Sequence, residues 1–464
     1  MFKNLKKFKN KTAIITEKNN YFSYTNIIEE TDKVLKEIDS KKNLIFLIAK
    51  NNLETLIGYL SFTESANVVA LIDDRTNIDL LEKLILLYKP DYIYCDSKKK
   101  LNIKYKLINS YYNFHILKSK DEVKKNMHDK LALLISTSGS TGSAKFVRQS
   151  NVNIENNIKS IINFLPIDSN DVTITTLPFS YVYGLSIINT HLKKGAAVVL
   201  NEKSMIDKSF KKTFIKHNVN NFGGVPYSYK IMNRVFNDST FFNKLKYSTH
   251  AGGKMNLELL KDIVSLYKKN KTKFYSMYGS AEATARMAYL DWKFAEKKMG
   301  SIGKAIPGGK FTIEDTKGKK IDKHGNQGEL IYRGKNVCLG YAEKISDLTK
   351  GDTNKGILRT GDIGFKDIDG FYFLSGRKDR FVKIHGQRIN LIELEEIILN
   401  YGIESLCQTN EENKIHIFTK KYDKFKELIN HLSIKTSIHP SVFSISSINK
   451  LPINLNFKPK LKFN

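Results

Sequence analysis

Continuous apolar runs alternate with stretches of helical spacing along the first 300 residues. KNLIFLIAK at 42–50 reads as a buried strand. Residues 51–66 take helical spacing, and NVVALID at 67–73 reads as the next strand. DLLEKLILLYKP predicts a helix that Pro90 ends, and DYIYCD predicts a strand after it. LALLIST (131–137), VTITTLP (172–178), AAVVLNE (196–202) and NNFGGVP (220–226) extend the pattern. Such alternation predicts a mostly parallel sheet covered by helices. Past residue 300, glycines are frequent and the strands are short (KFTIED, GELIYRG, FYFLSG), which predicts a small β-barrel or sandwich at roughly 300–375. LIELEEIILNYG at 391–402 has the pattern of an amphipathic helix. The charged joint at 376–380 predicts a short hinge. The expected fold class is therefore α/β. A large N-terminal domain, 1–376, holds layered αβ subdomains and the barrel, and a small C-terminal α+β domain occupies 377–464.

Length supports the division, because 464 residues exceed what one core usually organises. An apolar fraction of 41% excludes global disorder. Cys95, Cys338 and Cys407 are too widely spaced for a disulfide framework or a zinc site, which fits a reduced, cytoplasmic setting. The first residues hold no apolar core of signal-peptide length, and no membrane span is expected. The net charge is +29, carried by 67 lysines and only nine arginines. Scattered lysine reads first as a basic background on a globular surface. A nucleic-acid face is disfavoured, because the charges are not clustered with aromatics. Attraction for a polyanionic substrate or acidic partner stays open. Five of the nine arginines (Arg333, Arg359, Arg377, Arg380 and Arg388) fall between 333 and 388, where uniform scatter would place about one. Arginine offers a planar fork for phosphate or carboxylate, so that window is a place to look.

The most suggestive chemistry is STSGSTGSAK, from Ser136 to Lys145, after the apolar run LALLI. Gly139 and Gly142 would let backbone N–H groups approach phosphate oxygens, Ser138, Ser140 and Thr141 would add donors, and Lys145 would add charge. A flexible Ser/Gly turn is the plainer alternative, and the P-loop spacing GxxxxGK[ST] is not met. Further blocks follow in order: LPFSYVYGL (177–185), HAGGK (250–254), MYGSAEAT (277–284), MGSIGKAIPG (299–308), LRTGDIG (358–364), GRKDRFVKIHGQRINLIELEE (376–396) and LPINLNFKPK (451–460). Together these resemble the signature blocks of the adenylate-forming superfamily of acyl-CoA synthetases, acyl-carrier ligases, peptide-synthetase adenylation domains and luciferases. Ala144 stands at that family's usual proline, Tyr181 at its histidine, Ala281 at a usual threonine, and Asn454 and Phe457 at the Thr and Gly of the terminal block.

The resemblance implies ATP-dependent activation of a carboxylic acid to an acyl-adenylate, with pyrophosphate leaving, and then transfer to a thiol. It implies ATP, Mg2+ and coenzyme A or a phosphopantetheine carrier. Ser138, Gly139, Ser140, Thr141, Gly142 and Lys145 would cradle the phosphates. Glu282, with Thr141 nearby, would hold magnesium. Gly252 and Gly253 would lie under adenine, Tyr278 with Gly279 would border the purine, Asp362 would accept the ribose hydroxyls, and Arg377 would reach the ribose or phosphate. Lys458 would bridge carboxylate and α-phosphate. Asp379 would be the hinge pivot of a mobile C-terminal lid, and Gly386 would let a pantetheine arm pass. Each carries a bland alternative: Asp362 as a turn residue, Glu282 as a helix-start carboxylate, Tyr278 as core. His250 and His385 read as bystanders rather than bases.

The block PFSYVYG holds no acid to pair with an ammonium, which disfavours α-amino acids. Tyr181, Tyr183, Phe222 and Tyr227 suggest an apolar or aromatic-lined pocket for a small carboxylic acid. The acceptor is expected in trans, as coenzyme A or an acidic carrier protein. Two other readings stay open: an acyl-adenylate-forming enzyme with a non-thiol acceptor, and a basic nucleic-acid-binding protein on a decayed ligase scaffold.

Overall fold

A computed structural model describes residues 5–121, 123, 125–136, 145–235, 239–384, 387–409, 414–420, 422–436, 438–449 and 451, with backbone alone at 235, 239, 240, 379, 381, 383, 384, 387 and 388. Two compact units divide the chain: Met1–Phe311 with Tyr332–Leu358, and the described part of Thr312–Ile331 with Arg359–Asn464.

The first unit is built on two sheets. In one, the strands run in the order Gly340–Ala342, Phe146–Ser150, Leu131–Ser136, Val68–Asp73, Leu44–Ala49, Tyr92–Asp96, Phe114–Ser119, Tyr105–Tyr111. The four central strands are parallel, with Ile45 opposite Val69 and Leu71 opposite Ile135. All six residues of Leu44–Ala49 are buried, as a strand covered on both faces requires. Crossover helices Leu53–Glu64 and Ile78–Tyr88 start at Asn52 and Asn77, whose side chains accept early backbone N–H groups. The second helix stops at Lys89, in left-handed conformation just before Pro90.

The second sheet has a parallel centre of Thr12–Ile15, Ala197–Val199, Val172–Ile174, Asn221–Gly224, Tyr247–His250 and Lys273–Tyr278. Ala288–Leu290 and Ser301–Ala305 continue it antiparallel. A shared core joins Ile45, Leu47 and Leu133 of the first sheet to Ile14 and Val198 of the second, through Leu56, Phe62 and Leu185 of the helices. The predicted alternation thus holds, with two differences. The strands expected at 172–178 and 196–202 end at Ile174 and Val199. Beyond Ile174, the Thr175 and Thr176 hydroxyls bond carbonyls of Asn201 and Gly223, and Pro178, which lacks an N–H, opens a turn closed by Tyr181.

In the second unit, Ile357–Lys366 pairs antiparallel with Tyr372–Arg377. Beyond lie the hairpin Phe381–Ile384/Gln387–Asn390, helix Leu391–Asn400, helix Phe425–Thr436 and a sheet of Ser405–Thr409, Ile415–Lys420 and Phe443–Ile448. Its core gathers Leu394, Ile398, Cys407, Ile417, Leu428 and Phe443. Arg380 is buried, donates to the Cys407 carbonyl at 2.7 Å and pairs with Glu395. Glu395 also accepts the Cys407 N–H at 2.7 Å, so the expected joint is fastened to the helix that follows it.

Candidate active site

Ser136 pairs with Phe146 across antiparallel strands, so the glycine-rich segment joins two strands of one sheet. This differs from a phosphate loop that leads into a helix. The reason lies in FVRQS (146–150), which is fully buried although three of its five residues are polar. Arg148 donates to the carbonyls of Tyr341, Leu339, Gly351 and Lys350, and Gln149 donates to the Ala281 carbonyl at 2.8 Å. Ser138, Gly139, Ser140, Thr141 and Gly142 lie outside the described residues. Lys145 is described: its Nζ stands 3.8 Å from the Tyr341 ring centroid and 3.5 Å from Glu343 Oε1.

Glu282 sits on a single 3-10 turn, Ala281–Ala283, after the Lys273–Tyr278 strand. Neighbours hold that turn from several sides. The Glu282 carbonyl accepts the Cys338 N–H at 2.8 Å, and Asn336 Nδ2 donates to the carbonyls of Ala283 and Arg286 at 2.8 and 2.9 Å. Asn157 Nδ2 donates to the Arg286 carbonyl at 2.9 Å. Thr284 and Ala285 follow with φ of 56° and 108°, a left-handed pair that side chains rarely adopt. Gly279 packs against this stretch, and a Cβ there would meet the Ala285 carbonyl oxygen at 1.7 Å. Tyr341 Oη donates to Glu282 Oε1 at 2.8 Å. One tyrosine therefore joins Glu282 to Lys145, and it is a residue that the sequence blocks did not single out.

Gly252 has φ +84°, and a Cβ would fall 2.6 Å from the Tyr181 oxygen. Gly253 follows it beside Pro226. Tyr278 is half-buried at the end of its strand, its ring 6.3 Å from that of Phe311. Tyr181 precedes helix Val182–Lys194, and Tyr183 lies in its first turn with its hydroxyl donating to the Thr249 carbonyl at 2.7 Å. Burial pushes the Tyr183 phenol up to about 12. The guanidinium of Arg286 stands 3.9 Å from the Tyr183 ring centroid. Of the other two expected pocket residues, Phe222 lines a small void that Arg286 also borders. The Phe222 ring packs on Phe214, Tyr229 and Phe241 in a core, and Tyr227 is 43% exposed on helix Pro226–Val235.

In the second unit, Asp362 lies within a strand, opposite Arg377, and not in a turn. Its N–H donates to Thr360 Oγ1 at 3.0 Å, Thr360 Oγ1 donates to the Leu330 carbonyl at 2.7 Å, and Arg377 Nη1 is 3.5 Å from Asp362 Oδ1. Gly361 before it has φ +70°. Gly386, His385, Lys458 and the Asp379 side chain lie outside what is described.

Residues 1–342 match the family of AMP-binding enzymes. The chain belongs to that family. Among relatives, it is 28% identical over 281 residues to oxalate–CoA ligase of Arabidopsis thaliana, covering 60% of this chain and 54% of that one. It is also 28% identical over 268 residues to indoleacetate–CoA ligase of Aromatoleum aromaticum, covering 57% and 51%. These matches span about half the length of the relatives. The fold is that of O-succinylbenzoate coenzyme A synthetase (MenE) of Bacillus subtilis in complex with AMP: TM-score 0.81, 18% identity, 98% of this chain and 96% of that chain covered. Among the described residues, no helix is long and apolar enough to cross a membrane.

Proposed function

We propose that the protein activates a carboxylic acid with ATP, forming an acyl-adenylate and releasing pyrophosphate, and passes the acyl group to a thiol of coenzyme A or of a carrier protein supplied in trans. The observation that carries this reading is the junction of Glu282, Tyr341 and Lys145. A carboxylate and an ammonium meet there on one tyrosine, within a chain of the AMP-binding family, which supports the reading.

The reaction needs no protein nucleophile. The acid's carboxylate attacks the α-phosphate in line, so the protein must hold two anions together and balance charge as it moves to pyrophosphate. Lys145 and the loop residues 138–142 would take the phosphates. Glu282 offers a half-buried carboxylate with one oxygen engaged by Tyr341, an oxygen donor of the kind magnesium takes along with phosphates and water. The ion would supply charge neutralisation on the phosphates. Gly252 and Gly253 would border adenine and Tyr278 its face. Asp362 would accept the two ribose hydroxyls, as a carboxylate suits a diol, with Arg377 beside it. Lys458 would serve adenylation and Gly386 thiolation, in a C-terminal lid at 377–464 that pivots at Asp379.

The relatives' names cover oxalate, indoleacetate and O-succinylbenzoate, so they do not fix the acid. The test is a panel of fatty, aryl, hydroxy and dicarboxylic acids scored by pyrophosphate release, with and without coenzyme A. Release that depends on an acid and forms a thioester with coenzyme A supports the reading. AMP formation that never needs a thiol would favour a non-thiol acceptor.

A further inference from the structure

Four parallel strands, two from each sheet of the first unit, send their carboxyl ends to one turn. Asn51 follows strand Leu44–Ala49, and Asp73 closes Val68–Asp73. Leu177 and Asn201 follow Val172–Ile174 and Ala197–Val199. Parallel sheets offer ligand crevices at that end.

The Asn51 side chain accepts the Phe179 N–H at 2.9 Å and donates to the carbonyls of Leu177 and Asn201 at 3.1 and 3.3 Å. It therefore bonds residues 177 and 179 as a neighbouring parallel strand would, where the strand itself has ended and Pro178 offers no N–H. Asp73 Oδ2 accepts the Ser180 hydroxyl at 3.0 Å. Arg75 holds that carboxylate in place, with Nε donating to Oδ1 and Nη2 to Oδ2, both at 2.8 Å. Tyr181 comes next, and its oxygen stands where a Cβ on Gly252 would come within 2.6 Å. Tyr183 Oη donates to the Thr249 carbonyl at 2.7 Å. The turn 177–181 thus lies between two side chains of the first sheet and the strand end that leads into Gly252 and Gly253.

We propose that Asn51 and Asp73 are positioning residues for adenylate formation: they clamp the turn 177–181 and so set Tyr181 against the Gly252–Gly253 segment. The inference rests on the acid-activation reading, which puts adenine at those glycines, and adds two residues that stand outside the signature blocks. Both act through Tyr181 and not on the reacting atoms. Releasing the turn would loosen the nucleotide without removing any group that binds it.

The test uses the full chain and its Asn51→Ala, Ser180→Ala, Asp73→Ala and Asp73→Asn variants. It measures ATP–pyrophosphate exchange at saturating acid with magnesium, and the melting temperature with and without AMP. Asn51→Ala and Ser180→Ala should raise the KM for ATP about tenfold while kcat changes less than about threefold. The rise in melting temperature caused by AMP should shrink in both. Adding Ser180→Ala to Asp73→Ala should cost nothing more, because both remove the same bond. Asp73→Asn keeps an oxygen acceptor for Ser180 and should lie closer to the parent. Should Asn51→Ala not fold, Ser180→Ala, which loses one hydroxyl, carries the comparison. Variants that keep the parent's KM and AMP shift, or that only melt lower with kcat falling in step, overturn the proposal while leaving acid activation standing. An AMP shift that depends on Asn51 and Ser180, in a chain that exchanges with no acid, supports the clamp and sinks the activation reading. Neither exchange nor an AMP shift in the parent overturns the proposal.

Discussion

His250 ends its strand with the ring buried between Tyr229 and Phe274, and its Nε2 has no hydrogen-bond partner among the described residues. Desolvation lowers its pKa to about 4, so it is neutral at pH 7 and fits the expected bystander. The folded chain resists a proton that the unfolded chain accepts below about 6.5. The stability associated with neutral His250 is therefore complete above that pH and is lost as pH falls from about 6.5 to about 4, by about 3 kcal/mol. Urea unfolding of His250→Phe at pH 7 and pH 4.5 should show a much smaller drop than the parent; an equal drop contradicts the assignment. Gly252, Glu282 and Asp362 stood out in the sequence because motifs carry them. Clustering directed attention to 333–388, where Arg380 is buried and Arg377 lies opposite Asp362, but no local pattern singled out the buried Arg148 and Arg286. Their partners are carbonyls and rings distant in sequence, which no local pattern records.

The segment from Ala281 to Arg286 shows the same logic in one element. Its hydrogen bonds come from Gln149, Asn157, Asn336 and Cys338, so its shape is a tertiary product. The left-handed Ala285 stores strain that these bonds sustain. Ala285→Gly should raise stability by about 1 kcal/mol, read by denaturant midpoint, while lowering acid-dependent pyrophosphate release because Glu282 is held less firmly. A destabilised variant would show that the backbone there is relaxed. Tyr341→Phe keeps the ring under Lys145 and removes only the bond to Glu282, so about a tenfold loss of kcat/KM is expected, and Tyr341→Ala should lose more. Unchanged kinetics in both would remove Tyr341 from the site. Parallel strands were legible as continuous apolar runs because both faces are covered. The Tyr105–Tyr111/Phe114–Ser119 hairpin and the Phe146–Ser150 strand were not. The first alternates with exposed polar residues at a sheet edge, and the second buries polar side chains that are satisfied only by remote carbonyls.

For the molecule as a whole, the net charge of +29 says less than the placement of a few groups. Lysine dominates it, and the lysines at the candidate site are fixed by specific partners, as Lys145 is by Tyr341 and Glu343. The α/β class could be read from the alternation of buried runs and helical spacing over the first 300 residues. The reason is that burial pattern is a local quantity. If one chain serves two half-reactions, they should separate by mutation. Lys458→Ala should abolish ATP–pyrophosphate exchange but spare thioester formation from preformed acyl-adenylate, and Gly386→Trp should do the reverse. Equal loss of both steps in either variant would mark it as merely unfolding the C-terminal segment. The most direct measurement is acid-dependent ATP–pyrophosphate exchange by the full chain with magnesium. The account predicts exchange with at least one small carboxylic acid, lost in Glu282→Gln. No exchange with any fatty, aryl, hydroxy or dicarboxylic acid, beside salt-sensitive binding to RNA or DNA, would contradict it.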